Sequence, residues 1–121
     1  MAESRTTKSL YGSMSNDIMP PQSPFNIRKL ISYSEGGITS KVILKSERMN
    51  VTLFCMAAGT DLSEHTSTKE GLVYVLEGEG TFTLEGKRIP ILPDVLIHMK
   101  AGAVHSLAAE EDTSFMLVLT G

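Results

Sequence analysis

Tryptophan is absent, cysteine occurs once, histidine three times, and aromatic residues make up only 6% of the 121 residues. A single thiol, Cys55, cannot close an internal disulfide, so a reducing compartment is expected. The first residues, MAESRTTKSLYGSMSNDIMPPQS, lack the apolar segment of roughly 7 to 15 residues that a secretory signal needs, and the expected location is the cytoplasm. Basic residues are not in excess: eleven Lys and Arg against fourteen Asp and Glu leave a formal charge of -3, with no clustered basic face for a phosphate backbone. Nucleic acid is thereby excluded as a partner, and a hydrophobic share of 41% with mean hydropathy of +0.02 speaks against a membrane protein. There is no Walker-type loop, dinucleotide fingerprint or paired CxxC; Gly78-Glu79-Gly80 is too short to cradle phosphate and reads as a hairpin bend.

What is present is a β pattern. Residues 1–24 are rich in Ser, Thr, Asn, Gln and Pro and are expected to form a disordered arm, since they bury too little to offset their ordering entropy. From Phe25 onward short apolar strings alternate with turn residues, and no apolar 3.6-residue period persists for three turns. Strands are expected over Asn26–Tyr33, Ser40–Lys45, Val51–Met56, Gly71–Leu76, Thr81–Glu85, Arg88–Leu92, Val95–Met99, Val104–Ala108 and Ser114–Leu119. Many short, closely spaced strands in a chain this long imply a single all-β domain over 25–121, a sandwich or barrel. Two of the strands, Leu72–Leu76 and Phe115–Leu119, are apolar on both faces. A small barrel needs one apolar face per strand, so a second layer or a subunit partner must cover the other, and a homodimer is expected.

Two of the three histidines, His65 and His105, lie near the ends of the glycine-punctuated stretch from Gly59 to His105. Neutral imidazole is a common ligand for Zn, Ni, Cu and Fe, and two histidines with one carboxylate suit Fe(II) with open positions. Two imidazoles alone fall below the three protein ligands of catalytic zinc, and the bland reading is a pair lining the interior, hydrogen-bonded to each other, to Ser67 or to water. Cys55 follows Phe54 in an apolar strand, the setting of a small buried hydrophobe.

Gly59 to Gly78 and Asp94 to His105 resemble the two motifs of the cupins, G-x5-H-x-H-x3,4-E-x6-G and G-x5-P-x-G-x2-H-x3-N. The likeness is sharpest in Tyr74-Val75-Leu76-Glu77-Gly78-Glu79 and His105-Ser106-Leu107, and the short gap between motifs is that of small single-domain cupins. It implies a jelly-roll β-barrel and, in the family's enzymes, a divalent metal held by two His and a Glu of the first motif and a His of the second. Here Gly59, His65, Gly102 and His105 match. Ser67 stands at the second His position and Gly71 at the Glu position, with Glu70 beside it; Asp94, Lys100 and Ala109 replace the opening Gly, the Pro and the terminal Asn. Neighbours on a strand face opposite ways, so Glu70 needs a bulge to join His65.

The resemblance therefore implies a barrel that binds a small molecule near His65, Ser67 and His105, with a two-histidine site able to hold Fe, Mn, Ni or Zn weakly. One alternative is a metal-dependent dioxygenase or isomerase in which Glu70 or His98 supplies a third ligand. Another is a metal-free isomerase using His65 as general base. No residue is assigned a catalytic role at this level.

Overall fold

The computed structural model describes Asp17–Ile18 and residues 24–121, and among these residues the chain forms ten strands and one short 3-10 turn. Six strands make one sheet in the order β1 (Asp17–Ile18), β2 (Ile38–Lys45), β3 (Met49–Met56), β10 (Thr113–Thr120), β5 (Glu70–Glu77) and β8 (Leu96–Met99). Four make the other, in the order β4 (Asp61–His65), β9 (His105–Ala109), β6 (Gly80–Leu84) and β7 (Lys87–Ile91). Apart from the two-residue β1, which pairs parallel with β2, every pairing is antiparallel.

Alternation in the strands sorts side chains between the sheets and the exterior. Val73, Val75, Ile97, Met99 and Phe115 of the large sheet meet Phe82, Ile91, Leu107 and Ala109 of the small one in a continuous core. Full burial of each larger side chain contributes about 1.5–3 kcal/mol. The hairpin between β6 and β7 turns through Glu85 and Gly86, at φ 50° and 81°, where two successive positive φ values match the twist of a tight hairpin.

The two-sided strands acquire their cover from the chain itself. Ile43, Leu53, Cys55 and Leu76, on the outer face of the large sheet, pack against Phe25, Ile27, Leu30, Ile31 and Tyr33. The expected strand over Asn26–Tyr33 is thus a correction: the segment pairs with no strand, folds a 3-10 turn over Ile27–Leu30 and lies across the sheet as a strap. Side chains stand in for a ladder. Lys41, only 4% exposed, donates through Nζ to the Leu30 carbonyl at 2.7 Å, Arg28 donates to the Leu76 carbonyl at 3.2 Å, and the Tyr33 hydroxyl donates to Glu77 at 2.7 Å. Burial, with the Glu77 carboxylate alongside, pushes the Tyr33 phenol up, so it remains a donor.

The remaining expected strands occur with ends shifted by one or two residues, and β4 is an addition. Its sequence, Asp61-Leu62-Ser63-Glu64-His65, is too polar to read as a strand, yet as an edge it needs only one side chain against the core, and the partly buried Leu62 supplies it. Of the expected N-terminal arm, Asp17 and Ile18 pair with Lys41 and Val42; the rest, apart from Pro24, lies outside the described residues.

Candidate functional site

His65 and His105 are opposite each other on β4 and β9, and their rings meet at 4.1 Å between centroids with a 59° tilt. Simple alternation would not produce this pair. Leu62 and His65 are three residues apart, which in a regular strand places them on opposite faces, but the β4–β9 register shifts between them. This irregularity lets both line the same interior cavity, together with Phe82, Met99, His105 and Leu117.

The imidazoles are oriented by main chain. His65 donates from Nδ1 to the Ser63 carbonyl at 2.7 Å, and His105 donates from Nδ1 to the Ala103 carbonyl at 3.0 Å. In each neutral ring this assigns the proton to Nδ1 and leaves Nε2 with its lone pair. The His105 ring also lies parallel to Phe82, 5.9 Å away with an interplanar angle of 2°. Burial lowers the pKa of His105 below the ordinary imidazole value, against the Ala103 hydrogen bond and with the His65 charge adding to the lowering. His105 is therefore neutral at pH 7. The turn before it is fixed from the neighbouring hairpin, where the Val104 N–H donates to the Glu85 carboxylate.

The structure does not bring the other proposed residues to this pair. Ser67 follows the end of β4; its Oγ accepts from the Lys69 N–H at 3.1 Å and its carbonyl accepts from the Gly102 N–H at 2.6 Å. It ties the β4–β5 loop to the β8–β9 turn at the cavity end of the barrel. Glu70 and His98 sit on the outer face of the large sheet, where His98 Nε2 meets Glu70 Oε2 at 2.5 Å. The inward position beside Glu70 is Gly71, and a Cβ there would lie 2.8 Å from Leu119 Cδ2 and 3.4 Å from Met99 Cε. Apolar side chains thus take up the space next to the residue where the cupin motif carries its Glu.

Among the described residues no three His, Cys, Asp or Glu side chains gather as a metal-binding group. The donor set at the pair is two imidazoles, and it does not fit a resident catalytic metal, which typically takes three protein ligands. The cavity measures about 30 Å³. That is room for water or a single small group, against roughly 300–1,000 Å³ for a pocket that engulfs a drug-sized ligand. Sequence reasoning missed Phe82 as a wall of the site, although the alternation Thr81-Phe82-Thr83 signals one inward aromatic. Cys55 is a buried free thiol in the strap-side cluster, raised in pKa by burial, as its apolar surroundings suggested.

No helix of the described residues is long and apolar enough to cross a membrane. No curated protein matches the sequence significantly. Solved structures do: a cupin superfamily protein from Desulfitobacterium hafniense superposes with a TM-score of 0.76 at 24% identity, over 84% of this chain and 94% of that one. KdgF from Halomonas sp. gives a TM-score of 0.66 at 18% identity, over 74% and 84% of the two chains. A predicted oxalate decarboxylase from Thermotoga maritima gives 0.64 at 22% identity, over 69% and 79%. At these identities the likeness is one of fold. The family model of the cupin domain matches residues 52–121, more than half of the sequence, and with the two-sheet barrel and the paired histidines of its motifs in place, the chain belongs to the cupin family.

Proposed function

We propose that this cupin binds a small polar molecule at the His65–His105 end of its barrel through its two imidazoles. The observation that carries the reading is the pair of Nδ1–H donations to main-chain carbonyls, which leaves two Nε2 acceptors beside one apolar cavity. A hydroxyl or N–H of the ligand satisfies these acceptors, and apolar walls such as Phe82 and Leu117 strengthen the bond to the buried His105 by shielding it from water. With a cavity of about 30 Å³, only that one group enters, and the body of the ligand rests outside, beside the exposed His65.

A second reading has an observation of its own. Imidazoles whose Nδ1–H is held by a carbonyl are arranged as metal ligands are, so Fe, Mn, Ni or Zn could bind the two Nε2 atoms weakly and complete its shell with ligand oxygens. Metal analysis of protein purified without added metal separates the two. Substoichiometric metal, with unfolding temperature unmoved by divalent ions, is expected; stoichiometric metal lost from both His65→Ala and His105→Ala overturns the first reading in favour of the second. The homodimer also stands as a proposal. Leu72, Tyr74 and Leu96 remain 40%, 37% and 61% exposed on the outer face of β5 and β8, beyond the strap, and a second copy would cover them. Sedimentation is expected to show a dimer at tens of micromolar, and a monomer would refute this contact.

A further inference from the structure

The outer face of the small sheet carries a groove of about 450 Å³, on the opposite side of that sheet from the histidine cavity. Its volume lies within the usual range for small-molecule sites. The side chains on it are those that alternate with the core: Thr81 and Thr83 from β6, Ser106 and Ala108 from β9, Arg88 from β7 and Asp61 from β4. Register aligns them. Arg88 is opposite Thr83 and Thr83 opposite Ser106, which makes one line of polar groups across three strands. In the next line Thr81 is opposite Ala108 and Ala108 opposite Asp61. Neighbouring strands are about 4.8 Å apart, so the guanidinium strand and the Ser106 strand are separated by about 10 Å.

Two features distinguish this groove from an ordinary solvated sheet face. Three hydroxyls, on Thr81, Thr83 and Ser106, converge there, and none of them makes a hydrogen bond to another described residue, nor does Arg88 pair with a described carboxylate. The residue in the middle of the second line is Ala108, whose small side chain leaves the centre open. The charges are arranged by position: the cation on edge strand β7 and carboxylates, Asp61 and Glu64, on the opposite edge strand β4.

We infer that this groove is a second ligand site, for an anionic monosaccharide whose carboxylate or phosphate pairs with Arg88 while its hydroxyls bond Thr83, Ser106 and Asp61. Guanidinium holds either oxyanion through paired N–H donors, and a carboxylate such as Asp61 only accepts, which suits ligand hydroxyls and orients the anionic end toward β7. The length of the polar line is that of one sugar ring with its acidic group. With no aromatic side chain on the groove, affinity comes from hydrogen bonds and one ion pair and is in the millimolar range.

Amide NMR titration of the full chain tests this with D-glucuronate and D-glucose 6-phosphate as probes, and D-glucose and acetate as controls. Saturable shifts confined to β4, β6, β7 and β9 are expected with at least one acidic sugar, and which of the two binds identifies the head group. Arg88→Ala is expected to weaken that binding roughly tenfold to a hundredfold. Ala108→Leu, at an exposed position, fills the groove and abolishes binding while leaving the unfolding temperature in place. Absence of saturable shifts with both acidic sugars overturns the site. So does acetate binding as well as they do, or binding that survives Ala108→Leu, since either outcome reduces the effect to a charge at Arg88.

Discussion

The barrel holds imidazoles in two settings, and the contrast shows what each can do. His65 and His105 face inward, each fixed through Nδ1 by a main-chain carbonyl, with Nε2 free. His98 faces outward, and its Nε2 is occupied by Glu70, in a pair whose side chains are 51% and 60% exposed. The residue type is the same and the strands belong to one barrel. Partner and setting make the difference: a carbonyl leaves Nε2 as an acceptor beside the interior cavity, with His105 buried and His65 exposed, whereas an exposed contact with a carboxylate is screened by water and carries little energetic weight. The carboxylate and third imidazole that would enlarge the interior site are engaged with each other outside it.

The sharpest way to break the contrast is to remove the wall of the inner pair. Phe82 is fully buried and parallel to His105, so Phe82→Ala is expected to cost about 3–5 kcal/mol in chemical denaturation and to free the His105 ring. A loss below about 1 kcal/mol would mean that the ring does not depend on this wall. Gly71→Glu attempts to move the outer carboxylate inside. Contact with Leu119 and Met99 makes overpacking alone cost about 1–3 kcal/mol, and a variant as stable as the parent would show that the interior can accept a ligand there.

Acidification sharpens the comparison further. The folded-state pKa of His105 lies below its unfolded value, so between the two the unfolded chain binds more protons. Its contribution is fully present above pH ~6.5 and is lost as pH falls toward and through the folded value. His105→Gln is expected to flatten this part of the stability profile, measured by denaturant titration from neutral to acid pH; an unchanged slope would assign it to other groups. The smallest effect belongs outside. Glu70→Gln is expected to change stability by no more than ~0.5 kcal/mol at ordinary salt, and a larger loss would show that the outer pair does more than a solvated polar contact can.

The strap carries a related lesson about apolar surface. Two-sided strands called for a cover, which the sequence reading assigned to a second layer or a partner. Over β2, β3 and β10 the cover is the chain's own residues 25–33, pinned by Lys41, Arg28 and Tyr33. The exposed remainder is confined to Leu72, Tyr74 and Leu96 toward the β8 edge. The apolar positions of the strap had been legible as strand, because alternation reports which residues are buried and not what pairs with the backbone between them.

The sequence by itself determined the barrel, most of its strands and the two histidines. Alternating apolar residues and glycine-marked turns are local features, and the motif frame holds Gly59, His65, Gly102 and His105 at the right spacings. It also placed Ser67 and Gly71 where a metal-binding cupin carries His and Glu. Only the tertiary structure decided that His65 faces inward, because an irregularity in pairing with β9 resets its side, and register is a property of two strands. The same holds for the outward pairing of Glu70 with His98, and for the polar line from Arg88 to Ser106, whose members are distant in sequence and meet through strand pairing.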